Sequence, residues 1–197
     1  EIYTLSLHDA LPIFGAKSAG SEFNIIGIAS EEFPKILDME DETYSISFYK
    51  NDFTDMIKKT SFAASIDESK GVITGVLTEL EAENINMVAL DGFRMSVVHK
   101  NIKNAEERKI IINSKIINEI RNIIGDSNTE EAVNMQVGKK KAIVEFDNTM
   151  IVIRLLEGDF IKYKDIIPEN NPIKVIVNRS EFLESIERAS QIGRAHV

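Results

Sequence analysis

The sequence has no cysteine and no tryptophan, and it contains only three histidines and four prolines in 197 residues. Without cysteine there is no disulfide and no thiol chemistry, which is compatible with a reducing compartment. So few histidines leave little material for a zinc site or a catalytic triad. No apolar run is long enough to cross a membrane. We therefore expect a cytoplasmic protein with no cofactor, no metal and no membrane contact.

Positive charge is also scarce, because 23 lysines and arginines face 32 aspartates and glutamates, for a formal net charge of −9. This balance argues against a protein that grips nucleic acid over its whole surface, although it permits a local basic face. A hydrophobic content of 43% is sufficient for a real core. The length allows one full domain with pieces of its neighbours.

The sequence contains no good candidate for an active site. Gly71 and Gly75 are isolated and do not form a phosphate-binding loop. The carboxylates are scattered over predicted helix surfaces and linkers, so no pair stands out for acid–base chemistry. We therefore predict no catalytic residue, and a carboxylate hydrolase is the less favoured alternative.

Both ends of the chain resemble translated sequencing adapters. Thr4–Ile13 reads T-L-S-L-H-D-A-L-P-I, which one frame of a short-read adapter encodes, and Ile192–Val197 reads I-G-R-A-H-V, which the opposite adapter encodes. We expect residues 1–13 and 191–197 to be adapter-derived tails without a fold of their own. The part between them is then a fragment of a longer protein.

A repeat of one strand, one helix and three strands organises the remainder. Strand Tyr44–Tyr49 and helix Asp52–Ala63 are followed about sixty residues later by strand Lys109–Ile112 and a helix that ends at Ile124. Apolar residues recur at helical spacing in both helices. This pattern predicts an α+β fold in which two helices pack on antiparallel sheets. The strands expected after the helices are Val72–Thr78, Ile85–Leu90 and Arg94–Val98 in the first copy and Glu131–Val137, Ala142–Asp147 and Met150–Leu155 in the second.

Local signals predict the helix ends. Asn51 is a good N-cap for the first helix, and Asn113 or Ser114 for the second. Gly125 lies where a left-handed residue commonly ends a helix.

The segments that flank this unit predict pieces of two further domains. A strand at Phe23–Ala29 precedes an acidic linker, Asp38–Glu42, and Val177–Phe182 matches Phe48–Phe53 at the start of the repeat. We expect residues 14–43 to be the end of one domain with its linker, and residues 44–168 to be a complete domain. Residues 169–190 would then be the first strand and helix of a third domain.

Two stretches carry a family resemblance. Val88–Val97 reads V-A-L-D-G-F-R-M-S-V, in which Asp91 and Gly92 predict a two-residue type I′ hairpin turn, and Arg154–Pro168 reads R-L-L-E-G-D-F-I-K-Y-K-D-I-I-P. Together with the repeat, they resemble the bacterial DNA polymerase III beta subunit, the sliding clamp. The resemblance implies a sliding-clamp domain of two β-α-β-β-β halves, the second of three domains.

The same resemblance implies a non-catalytic processivity factor. In the family, two three-domain subunits form a homodimeric ring around duplex DNA and tether DNA polymerase III and clamp-loader subunits through short hydrophobic motifs. We expect this fragment to be monomeric. A β-rich peptide-binding adaptor that does not encircle DNA is the alternative.

Two sets of residues follow from the resemblance. Leu90, Met95 and Ile166 would form the apolar floor of a partner-peptide pocket, and Arg94 its polar rim. The cations would lie on or beside the helices that face DNA. The pocket positions are Ile73, Leu90, Gly92, Phe93, Arg94, Met95, Ile161 and Ile166, and the DNA-facing cations are Lys58, Lys59, Lys70, Lys115 and Arg121.

Overall fold

The structure is a computed structural model that describes residues 13–18, 20–28, 32, 43–102, 107–126 and 132–194. It forms two compact units, divided between Asp159 and Phe160. Within the described residues, the first unit contains ten strands and two α-helices, and the second contains one α-helix. In chain order the elements are β1 Ile13–Ser18, β2 Ser21–Ile26, β3 Tyr44–Tyr49, α1 Lys50–Thr60, β4 Gly75–Leu80, β5 Asn84–Leu90, β6 Met95–Asn101, β7 Arg108–Asn113, α2 Ser114–Asp126, β8 Ala132–Val137, β9 Lys141–Phe146, β10 Thr149–Arg154 and α3 Arg179–Arg194.

The two halves of the repeat exchange their first strands. One antiparallel sheet has the order β10-β9-β8-β3, and the other has the order β6-β5-β4-β7. The first strand of each half therefore pairs with the first meander strand of the other half, with Tyr44 opposite Val137 and Val76 opposite Ile112. The predicted α+β plan of two β-α-β-β-β halves is confirmed.

One core joins both sheets and both helices of the first unit. Phe53 and Ile57 of α1 and Ile120 of α2 are almost completely buried with residues from both sheets. The helices lie side by side, and Ser61 Oγ donates a hydrogen bond of 2.9 Å to Asn118 Oδ1 between them. Burial of these apolar faces is what fixes the two halves against each other.

The start of α1 differs from the prediction. The helix begins at Lys50, so Tyr49 is the N-cap and makes no side-chain cap hydrogen bond. The prediction of Asn51 as the N-cap is therefore wrong. The reason is that Tyr49 still pairs with Ala132 in the sheet, so the strand passes directly into the helix.

The segment after α1 is also more elaborate than predicted. It forms a 3₁₀ turn at Ser61–Ala63 and a kinked 3₁₀ segment at Glu68–Thr74, and β4 starts only at Gly75. The predicted strand start at Val72 is therefore wrong. Gly71 has a φ of 60°, a left-handed conformation that favours glycine and kinks the segment.

The second helix confirms one capping prediction and corrects another. Asn113 Oδ1 accepts the Lys115 N–H at 2.9 Å, as an N-cap does. Gly125 does not end the helix, because α2 continues to Asp126 with the last turn held by the fully buried Ile124. Of the apolar residues of α2, Ile117, Ile120 and Ile124 are buried, whereas Ile116 and Ile123 are each 39% exposed.

The flanking segments agree with the predictions only in part. The strand predicted at Phe23–Ala29 is found at Ser21–Ile26, paired with β1, which the sequence did not indicate. Ile13 belongs to β1, so the expectation that residues 1–13 lack a fold is wrong for this residue. The acidic linker Asp38–Glu42 lies outside the described residues.

In the second unit the predicted helix is present and the predicted strand is not. Asn178 Oδ1 accepts the N–H groups of Ser180 and Glu181, which caps α3. Residues 173–178 form no strand, because no described strand of this unit pairs with them. The helix continues through residues 192–194, so this part of the terminal tail is not without structure, contrary to the expectation.

Candidate partner-binding site

The connection between β5 and β6 is a four-residue loop. The ladder ends at the pair Leu90–Met95, which leaves Asp91–Arg94 as the loop. Gly92 has a φ of 97°, whereas the φ of Asp91 is not positive. A type I′ turn over Asp91 and Gly92 is therefore wrong, because that turn needs positive φ at both residues. Gly92 is instead the first of the two central residues, the position at which a type II′ turn requires glycine.

The Asp91 carboxylate fixes the conformation of this loop. Its Oδ1 accepts the backbone N–H groups of Phe93 at 2.9 Å and Arg94 at 3.0 Å. Its Oδ2 accepts Nε–H of Arg94, also at 2.9 Å. These bonds, above all the one from the Phe93 N–H, hold the pKa of Asp91 below its usual range. The aspartate thus sets both the turn and the direction of Arg94.

Phe62 completes the support of Arg94, and sequence reasoning missed it. The Arg94 guanidinium carbon lies 5.8 Å from the centre of the Phe62 ring, which is cation–π distance. The 3₁₀ turn that carries Phe62 packs against β5 and β6. Phe62 is 57% exposed, and it lies outside the i, i+4, i+7 spacing of Phe53, Ile57 and Thr60. The sequence signal that could have identified Phe62 is an aromatic residue that falls outside the helical spacing of the buried residues.

The 3₁₀ segment before β4 lies against the same loop. Lys70 Nζ donates a hydrogen bond of 3.4 Å to the carbonyl oxygen of Asp91. Ile73, three residues further, is half-buried, and its carbonyl accepts the Ser65 N–H at 3.0 Å. Lys70, predicted to face DNA, thus contacts the hairpin. Ile73 belongs to the 3₁₀ segment and not to a strand.

Burial separates the predicted pocket residues into exposed and internal positions. Phe93 is 96% exposed, Met95 is half-buried, and Leu90 is only 5% exposed. Leu90 therefore supports the loop from inside, and the accessible apolar surface comes from Phe93, Met95 and Phe62. Ile161 and Ile166 lie in the second unit, where they are 41% and 55% exposed.

Two cations on or beside the helices are already engaged in ion pairs. Lys59 Nζ lies 2.6 Å from Asp55 Oδ2, and Lys115 Nζ lies 2.6 Å from Glu68 Oε1. The bond from Lys115 lowers the pKa of Glu68. Such exposed pairs are weak, but they cancel part of the local positive field.

The other two helix cations differ from this pair. Arg121 Nη2 donates to Asn122 Oδ1 at 3.0 Å. Lys58 is exposed, and no carboxylate of the described residues pairs with it.

The described residues offer no grouping of three or more histidine, aspartate or glutamate side chains that could hold a metal ion. No helix in the same part of the chain is long and apolar enough to span a membrane.

The hairpin and the swapped repeat now have a family context. A model of the DNA polymerase III beta subunit, central domain, matches residues 31–162. The chain belongs to this family. The matched segment contains the Asp91–Arg94 loop, Phe62 and both helices of the repeat.

Relatives of the DNA polymerase III beta subunit family extend the similarity over most of the chain. The beta sliding clamp of Bacillus subtilis is 28% identical over 180 residues, and that of Halalkalibacterium halodurans is 29% identical over 182 residues. Each alignment covers 90% of this chain and 47% of the relative. The chain therefore spans about half the length of these relatives.

Solved structures give the same result for the fold. The DNA polymerase III beta subunit of Thermotoga maritima matches with a TM-score of 0.77 and 27% identity, over 89% of this chain and 47% of that one. The DNA polymerase sliding clamp of Bacillus subtilis matches with a TM-score of 0.81 and 25% identity, over 91% and 47% of the two chains. The predicted sliding-clamp fold is confirmed.

Proposed function

We propose that this chain is part of a sliding clamp, a non-catalytic processivity factor that encircles duplex DNA and tethers the replicative polymerase. The observation that carries the proposal is the family match together with an exposed phenylalanine, Phe93, on a loop that Asp91 holds in one conformation. Its setting would be the cytoplasm, where replication proteins of this family work. The domain boundaries and the adapter origin of the tails stay predictions.

The proposed partner site in the first unit is the hairpin surface, formed by Phe62, Phe93, Arg94 and Met95. Exposed aromatic and apolar side chains beside one arginine suit a short peptide anchored by a large apolar residue. Ile161 and Ile166 stay sequence predictions for the same function. DNA polymerase III and clamp-loader subunits, through short hydrophobic motifs, are the proposed partners.

Replacement of Met95 by alanine tests the peptide site. Truncation of a half-buried anchor is expected to weaken binding by about 1–3 kcal/mol where the side chain is a hot spot. The measurement is a fluorescence titration of the full chain with a labelled, Gln-containing peptide that ends in Leu-Phe. Met150→Ala is the matched control, because Met150 is 53% exposed near the start of β10, in the other half of the repeat. Equal losses in both variants, or no binding to the parent chain, would contradict the site.

Duplex binding tests the DNA-facing surface. We expect weak binding of the isolated chain to duplex DNA, with a steep loss between 50 and 200 mM salt. Lys58→Ala should lower the affinity more than Lys59→Ala, because Asp55 already neutralises Lys59. Fluorescence anisotropy at several salt concentrations gives both results.

Lys59 and Lys115 each form an ion pair with a carboxylate. This observation favours the alternative, a peptide-binding adaptor that does not encircle DNA. Peptide binding without any duplex binding at low salt would support that alternative. Unequal effects of the two lysine variants would support the clamp.

A further inference from the structure

Two cations lie directly opposite each other on the sheet β10-β9-β8-β3. In the pairing of β9 with β10, Lys141 is opposite Arg154. Their neighbours Ala142 and Ile153 point into the core, so Lys141 and Arg154 point to the face that is turned away from both helices. Side chains directly opposite each other have Cβ atoms about 4.5–5.5 Å apart, and like charges at that position destabilise a sheet.

Nothing in the described part of the chain neutralises this pair. No carboxylate of the described residues forms an ion pair with Lys141 or Arg154. Glu145 lies on the same face of β9, but it is four residues from Lys141, which is about 13 Å along the strand. Charges that far apart are largely screened at physiological salt, where the screening length is about 8 Å. The repulsion between the two cations is therefore not compensated by the fold.

The turn between β8 and β9 adds two further cations. Lys139 and Lys140 are its central residues, because the Gly138 N–H donates a hydrogen bond of 2.8 Å to the Lys141 carbonyl oxygen. The Lys140 carbonyl oxygen accepts the N–H of Leu155 at 2.9 Å, which fixes the turn beside the end of β10. One end of this hairpin therefore carries a basic patch, which consists of Lys139, Lys140, Lys141 and Arg154.

A single acidic contact within the described residues reduces the charge of the basic patch. Lys140 Nζ lies 3.7 Å from Glu157 Oε1, and the two side chains are 65% and 71% exposed. Such an exposed pair is weak. The chain has a net charge of −9, so the basic patch is a locally positive area on an acidic protein.

The first half of the repeat shows that the fold does not require cations at these positions. The turn between β4 and β5 is closed by the same hydrogen bond, from the Glu81 N–H to the Asn84 carbonyl oxygen at 2.8 Å. The pair that corresponds to Lys141 and Arg154 is Asn84 and Asn101, which is uncharged. The second half thus keeps an unfavourable charge pair where a neutral pair would fold equally well. Residues that break a local rule without a structural gain indicate a functional site.

We propose that the basic patch binds the phosphodiester backbone of a nucleic acid. Lysine and arginine side chains on a flat sheet can contact phosphates without reading the bases. A bound phosphate between Lys141 and Arg154 would also remove their repulsion. An acidic peptide would need a large apolar anchor beside the charges, whereas the exposed apolar residue two positions before Arg154 is Val152, which is small. The basic patch goes beyond the proposed function, whose DNA-facing cations lie on or beside the helices.

Arg154→Glu tests the proposal with two results of opposite sign. The variant places opposite charges across the strand pair, so the midpoint of urea unfolding should rise. It should also weaken binding of the full chain to a labelled 12-nucleotide oligothymidine or a labelled 12-base-pair duplex by about tenfold at about 50 mM salt. Fluorescence anisotropy measures the binding. An unchanged or lower midpoint would mean that Arg154 stabilises the sheet, and the inference would be wrong.

The double variant Lys141→Gln, Arg154→Gln counts the phosphate contacts. Two contacts contribute about 1.8 to the slope of log affinity against log salt for a duplex and about 1.4 for a single strand, and the variant should lose this part of the slope. Lys174→Gln with Arg188→Gln is the matched control, because it removes the same charge from exposed positions of the second unit. Equal losses in the two double variants would reflect net charge alone and would overturn the basic patch as a site.

The remaining outcomes identify the ligand. The oligonucleotide that loses more affinity in the double variant is the source of the phosphates. If neither oligonucleotide responds and a 12-residue oligoglutamate peptide binds instead, the occupant is an acidic protein and the inference is wrong. If Lys58→Ala alone weakens duplex binding and the sheet variants do not, all contacts lie on the helices. That result would overturn the inference and leave the proposed function intact.

Discussion

The two halves of the first unit end in hairpins of different construction. Between β5 and β6 the loop Asp91–Arg94 carries an exposed phenylalanine and an arginine held by Asp91. Between β9 and β10 the chain turns over Asp147 and Asn148 alone, with a φ of 48° at Asp147. The second turn is too short to present a comparable pair of side chains. The same position in the repeat thus carries the proposed partner site in one half and a plain turn in the other.

The connections after the two helices differ in the same direction. After α1 the chain passes through Ser61–Thr74, which brings Phe62 and Lys70 into contact with the loop Asp91–Arg94. After α2 only residues 127–131 precede β8. The extra length of the first half therefore lies beside its longer hairpin. Both halves of the repeat therefore share the same core, and the first half has an additional surface at its hairpin end.

Among the substitutions that test this difference between the halves, Gly75→Ala is expected to change the stability of the protein most. A Cβ at Gly75 would lie 2.6 Å from Ile111 Cγ2, 2.8 Å from Leu156 Cδ1 and 3.0 Å from the Ile112 carbonyl oxygen. The first half should lose about 1–3 kcal/mol of stability, because a backbone atom cannot move aside as a flexible side chain can. Urea unfolding of the full chain measures the change.

Ala132 gives the matched control, because it begins β8 as Gly75 begins β4 and is exposed. Ala132→Gly should cost no more than about 1 kcal/mol, the entropic effect of glycine in a strand. If Gly75→Ala is as stable as the parent chain, Leu156 does not pack closely on β4 in solution.

The comparison also shows which features the sequence could predict. Periodic elements were located to within a few residues, since burial of an apolar face fixes both the helices and the meander strands. The cap at Asn113 and the repeat needed only local signals and spacing, whereas the exchange of first strands between the halves was not predicted. The family resemblance identified the hairpin that presents Phe93 and Arg94.

The features that sequence reasoning missed depend on particular side-chain and strand-pairing contacts, which apolar periodicity does not reveal. The prediction of the turn type was wrong because the Asp91 carboxylate accepts two backbone N–H groups and moves the turn one residue further along the chain. The role of Phe62 requires β6 to bring Arg94 above its ring. The predicted strand after Pro172 failed because an isolated strand has no partner to bond.

The pH response of the hairpin sharpens the contrast between the two turns. The folded loop favours the ionised form of Asp91, so its pKa lies below the usual value of 3.8. The stability that ionised Asp91 contributes to the folded loop is fully present above about pH 4, the pKa of aspartate in the unfolded chain. It is lost as the pH falls through the pKa of Asp91 in the folded protein. We expect the amide signals of Phe93 and Arg94 to shift together below pH 3.8 in an NMR titration.

A midpoint at or above pH 3.8 would contradict the role of the Asp91 hydrogen bonds. Asp91→Asn is the control, because it has no carboxyl group to titrate, and its two amide signals should stay constant over the same range.

The smallest expected effect concerns a core position at which the halves differ. In β4 the residues that face the core are Val76, Thr78 and Leu80, and in β8 they are Val133, Met135 and Val137. Thr78 thus occupies the place of Met135. Its Oγ1 is buried without a hydrogen-bond partner in the described part of the chain.

Thr78→Val should therefore raise the free energy of unfolding by up to about 1 kcal/mol. Valine has the same shape, and it removes a hydroxyl that loses its water on folding and gains no partner in return. Thr78 is 1% exposed between Met87 and Ile110 on the neighbouring strands, so the new methyl group enters an apolar site. Thr74→Val is the control, because Thr74 Oγ1 donates to the Gly71 carbonyl at 2.8 Å and its loss should destabilise the protein. Urea unfolding of both variants decides the case. If Thr78→Val is less stable than the parent chain, the hydroxyl has a partner in solution, and the first half satisfies its core polar groups as completely as the second.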